Sequence, residues 1–73
     1  MKRPDPNPPQ PQSLEDWRWM SRLKQREAAQ LLGIHISYYS RLERRQVFPH
    51  RMLAKTISAR TGVPVANLLD LAS

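Results

Sequence analysis

A glycine at position 33 constrains this chain more than any other residue. Before it, residues 25–32 place Ala28, Leu31 and Leu32 on one face at helical spacing. After it, residues 36–45 set Tyr39 and Leu42 on one face, with Ser37, Ser40, Arg41 and Arg44 on the other. Glycine takes positive φ without steric cost, so it stops the first helix and turns the chain. Ala29 is small enough to let the two backbones meet, and Ile34 leads the chain back to the core. Two helices joined in this way cross at about 90–120°. An ordinary helical hairpin with a glycine turn would use some of the same residues. The joint spacing of Ala29, Gly33, Ile34, Tyr39 and Leu42 favours the more specific reading, a helix-turn-helix.

The rest of the pattern is helical too. Ser13 predicts an N-cap, with Asp16 three residues on as a variant capping box. Glu15 and Asp16 suit the positive end of the helix dipole. A first helix is expected over residues 14–22, with Leu14, Trp17 and Met20 (or Ser21) inward and Trp19 pointing elsewhere. A fourth is expected from about residue 50 or 51 to 60, with Leu53, Ala54 and Ile57 inward and Gly62 as its stop. Pro64 opens a last short helix, about residues 65–71. Five of the seven prolines fall in residues 1–12. Proline fixes φ and lacks a donor, so this stretch reads as an extended, polyproline-like arm. The expected organisation is an all-α bundle of five short helices over residues 13–73, preceded by that arm.

Composition narrows the chemistry. With 73 residues there is room for one small domain, and with no cysteine neither disulfides nor thiolate metal sites arise. His35 and His50 are not at ligand spacing, so no cofactor or metal is expected. Apolar runs are too short to span a membrane, and prolines stand where a signal peptide needs an apolar stretch. The expected compartment is cytoplasmic. Net charge is +6, from 12 Lys and Arg against 6 Asp and Glu. Arg41, Arg44, Arg45 and Arg51 gather around one acid, Glu43. Such a balance points first to nucleic acid. No nucleophile has a histidine partner and no carboxylate pair has a rationale, which argues against an enzyme.

Residues 23–69 resemble the phage-repressor-like helix-turn-helix proteins of the Cro and Xre type. Four traits carry the resemblance. Lys24-Gln25 opens the second helix, Ala28-Ala29 precedes Leu32-Gly33-Ile34, Ser40-Arg41-Leu42-Glu43 closes the third helix, and Thr61-Gly62-Val63 leads into Leu68-Leu69. The resemblance implies a five-helix, lambda-repressor-like bundle. It implies binding to double-stranded operator DNA as a symmetric dimer, and repression of a nearby promoter, including autoregulation of a phage or mobile-element operon. Three departures stand out: His35 replaces the usual Ser or Thr cap, Arg44-Arg45 replaces a common glycine, and Ile36 sits where a polar base reader is usual.

The resemblance makes Gln25 a phosphate contact, and a helix N-terminus suits an anion. His35, Ile36, Ser37, Ser40 and Arg41 are the expected base readers, because the first turns of a recognition helix reach the groove floor. Arg41 suits guanine O6 and N7, and Ile36 a thymine methyl. Tyr38, Arg44, Arg45 and Arg51 are expected phosphate contacts. Glu43 is expected to pair with an arginine of the chain. Leu68, Leu69 and Leu71 are candidates for a two-fold interface. No small-molecule ligand is evident. The alternative is a protein-interaction module that keeps the fold without reading DNA, using Trp19, Ile36, Tyr38 and the Pro-rich arm.

Overall fold

Among residues 10–69, which the computed structural model describes, the chain forms five helices and no strand. They are α1 (Leu14–Met20), α2 (Gln25–Leu32), α3 (Ile36–Glu43), α4 (Arg51–Thr61) and α5 (Val65–Leu68). Within those residues no helix is long and apolar enough to cross a membrane.

One core serves all five. Leu14 and Trp17 of α1, Ala28, Ala29 and Leu32 of α2, and Tyr39 and Leu42 of α3 meet Ala54, Ile57, Val63 and Leu68. Helix α3 lies against both α1 and α2, and α5 lies against α4. Ala28 and Ala29 present only methyl groups, so the backbone of α2 can come close to its neighbours. Three apolar residues depart from expectation. Leu31 falls outside the arc formed by Ala28, Ala29 and Leu32 and is exposed, as is Met20 one turn past Trp17. Tyr38, expected outside, is half-buried against the core.

The helix ends explain the boundaries. α2 closes in a Schellman motif around Gly33 (φ 71°), with Ile34 N–H on Ala29 O at 3.0 Å and Gly33 N–H on Gln30 O at 3.1 Å. The same closure ends α1 and α3, but there the left-handed residue is an arginine. Arg22 (φ 56°) ends α1 at Met20, two residues before the expected limit at Arg22. Arg45 (φ 61°) ends α3 at Glu43, with Gln46 N–H on Arg41 O at 2.9 Å. α4 runs one residue past its expected end, and Gly62 (φ 83°) stops it. α5 is shorter than expected, because Leu69 is already extended.

Side chains satisfy the N-termini of α1 to α4, whereas α5 opens at Pro64 without a side-chain cap. Ser13 Oγ accepts from Asp16 N–H at 3.1 Å, and Glu27 accepts from Lys24 N–H at 2.8 Å. Both histidines cap as well. His35 Nδ1 accepts from Ser37 N–H at 3.1 Å, and His50 Nδ1 from Leu53 N–H at 3.2 Å. His35 therefore caps the start of α3 although it is neither Ser nor Thr, and His50 caps the start of α4.

Most of the expected arm, residues 1–9, lies outside the described residues. Residues 10–12 are tied to the end of α4 and to α5. Gln10 Nε2 donates to Gly62 O at 2.8 Å, and Asn67 Nδ2 donates to Gln12 O at 2.9 Å. The folded unit therefore reaches back to residue 10, three residues before the expected boundary.

A Cβ on Gly33 would meet nothing within 4 Å, so its only penalty is the positive φ. Gly33→Ala should cost about 1–2 kcal/mol, and Gly33→Asn distinctly less, as measured by urea unfolding. Equal costs would mean that the left-handed turn is not what the glycine supplies.

Candidate functional site

The carboxylate of Glu43, at the last turn of α3, is the meeting point of three helices. Its Oε2 accepts from Arg18 Nε of α1 at 2.8 Å and from the Tyr39 hydroxyl at 2.8 Å. Its Oε1 accepts from Arg18 Nη2 at 3.2 Å and from Gln25 Nε2, the first residue of α2, at 2.9 Å. Arg18 Nη1 also donates to Leu23 O at 3.2 Å, which ties down the link between α1 and α2. The side chains of Arg18 and Glu43 are only 13% and 6% exposed. No buried side-chain nitrogen or oxygen among the described residues lacks a partner.

The electrostatics follow from that crowding. Burial alone would raise the Glu43 carboxyl. The hydrogen bonds from Arg18, Gln25 and Tyr39, with the charge of Arg18, outweigh it and hold the group below its ordinary range. Burial, and then the bond to Glu43, push the Tyr39 phenol well above its usual range. The bond to Glu43 raises the Arg18 guanidinium further. At neutral pH the pair is ionised and Tyr39 is neutral.

Behind this hub, α3 turns its other side outward. His35, Ser37, Arg41 and Arg44 are exposed, and Ser40 is half-buried. Ser37, Arg41 and Arg44 are spaced four and three apart, so they share one face. Among the described residues no hydrogen bond or ion pair holds the guanidinium of Arg41, Arg44 or Arg51. Comparisons with family models, curated proteins and solved structures return no match.

Several candidate residues are placed otherwise than the sequence suggested. Ile36 is half-buried against the core, which reduces the apolar surface available for a thymine methyl. Arg45 is turned back on the chain: its Nη1 donates to Asn67 O at 3.1 Å, and its guanidinium lies 5.4 Å from the centre of the Phe48 ring. Arg45 stays exposed, but its guanidinium is engaged with α5, unlike those of Arg41 and Arg44. Gln25 faces Glu43 with its amide. Leu68 is 6% exposed within its own core, so it offers little to a second copy. Leu69 is half-buried, and Leu71 lies outside the described residues.

Sequence reasoning missed Arg18, which holds the network together. Its position near the end of α1 reads as a favourable dipole contact and no more. Only the separation of helices in space reveals its partner 25 residues away.

Removing one member of a buried pair leaves a charge unpaired, so Arg18→Met should cost about 3–5 kcal/mol, measured by chemical denaturation. Glu43 has a depressed folded-state pKa. Its contribution is present above the ordinary carboxylate range of about 4.3 and is lost as pH falls through the folded value. The wild-type protein should therefore lose stability on acidification below that range, and Glu43→Gln should show a flatter acid limb. Parallel acid limbs would contradict this.

Proposed function

We propose that the protein is a sequence-specific, double-stranded DNA-binding regulator: a dimeric repressor that reads a palindromic operator with α3 in the major groove. The observation that carries this reading is the division of α3. One side is locked by buried Tyr39 and Leu42 and by the Glu43 hub. The other presents Arg41 and Arg44 outward with no guanidinium partner among the described residues, beside exposed Ser37, whose Oγ lies 2.8 Å from His35 Nδ1. A rigid helix with free, forked donors suits base edges and phosphates. The α2–Gly33–α3 unit then acts as a helix-turn-helix. Arg41 and Ser37 read bases, with His35 and Ser40 beside them. Arg44 and Arg51 clamp phosphate, and the start of α2 adds an anion contact through its free N–H groups. Leu69 and Leu71 remain as the two-fold contact. Autoregulation of a small operon suits a chain with no evident ligand site.

The second reading, a protein-interaction module, draws on Trp19 and Met20, which are 67% and 50% exposed. Under that reading the outward arginines are dispensable and Trp19 is not.

Binding to duplexes selected from a random pool, measured at several salt concentrations, separates the two. Arg41→Ala should relax preference at one position by about 1–3 kcal/mol. Arg44→Ala should weaken all sequences alike and lower the salt slope by about 1. Arg45→Ala should leave the slope unchanged and lower stability instead. Wild-type binding that is indifferent to sequence at every salt concentration would overturn the reading.

A further inference from the structure

Resting on that DNA-binding reading, we propose that Glu43 and Arg18 are positioning residues for recognition: neither touches DNA, but together they fix the start of α2 against the reading helix. Gln25 opens α2, and its amide nitrogen carries two N–H donors. One is spent on Glu43 Oε1 at 2.9 Å. Because the amide is planar, that bond restricts the direction of the second N–H and ties the first residue of α2 to the end of α3. The same carboxylate is held by both forks of Arg18 and by Tyr39 of α3. The anion contact at α2 and the base contacts of α3 are thus referred to one buried oxygen pair. A rigid tie of this kind keeps the phosphate anchor and the base readers in register.

The sign of the effect distinguishes positioning from charge. Glu43 is an acid in a chain of net charge +6. If it acted only through the protein's field, removing it would tighten binding to DNA. Positioning gives a different result: the specific-to-scrambled ratio falls, in Glu43→Gln despite its added positive charge, and in a variant lacking both Arg18 and Glu43 with net charge unchanged.

The test uses the full chain and two probes, a duplex enriched from a random pool by the wild-type protein and a scrambled duplex of the same length. The Arg18→Met/Glu43→Met double variant replaces the ion pair with apolar side chains of similar volume, a change that many folds tolerate. Circular dichroism and an unfolding curve fix a temperature at which it is folded. Glu43→Gln, assayed below its own midpoint, serves if the double variant does not fold. The expected result is a specific-to-scrambled affinity ratio lower by about tenfold, the size of one lost base contact, with the salt slope on scrambled duplex retained. A folded variant with the wild-type ratio overturns the assignment alone. Failure of the wild-type protein to enrich any duplex overturns the DNA reading and this assignment with it.

Discussion

A carboxylate withdrawn from water must be paired, and in this protein that requirement organises the fold. Glu43 sits where α1, α2 and α3 converge, and its two oxygens accept four hydrogen bonds from Arg18, Gln25 and Tyr39. A small domain has little apolar area with which to fix helix angles. Apolar contacts are non-directional and tolerate sliding, whereas a forked ion pair with two further donors does not. The core made by Tyr39, Ile57, Val63 and their neighbours supplies the driving force, and the hub supplies the geometry.

The same logic divides the arginines. Arg18 is consumed inside. Arg45 takes a left-handed backbone to close α3, donates to Asn67 O of α5, and sets its guanidinium over the Phe48 ring in the α3–α4 link. Asn67 in turn holds Gln12, so one residue of α5 joins the end of α3 to the segment that precedes α1. Arg41, Arg44 and Arg51 are left outward. The high positive charge is therefore less uniform than composition suggests: part of it is structural, and Arg41, Arg44 and Arg51 form one exposed group on and just beyond α3, apart from exposed Lys24, Arg26 and Lys55 at the other helices.

Local rules made much of this legible in advance. Gly33 between two amphipathic stretches marked the α2–α3 joint, and Ser13, Gly62 and Pro64 marked other helix limits, because caps and breakers act within a few residues. The core positions of Ala28, Leu42 and Ile57 followed from helical spacing. What stayed hidden depends on distance in space. Arg18 and Glu43 are far apart in sequence, so no periodicity links them. Arg22 and Arg45 occupy left-handed positions that usually favour glycine, which made α1 and α3 read too long. Leu31 reads as core by its spacing from Ala28, yet the buried arc of α2 runs through Ala28, Ala29 and Leu32 and leaves it outward. The inward turn of Gln25 and the docking of residues 10–12 on α5 are likewise tertiary facts.

Under the proposed function, the outward face of α3, held by the Glu43 hub, is the surface that meets DNA. Chemical-shift mapping of backbone amides and arginine Nε groups during titration with duplex DNA tests it most directly. The largest changes are expected at Ser37, Arg41 and Arg44 and at the start of α2, with Arg45 and Leu68 little moved. Changes centred on Trp19 and Met20, with the outward face of α3 unaffected, would contradict it.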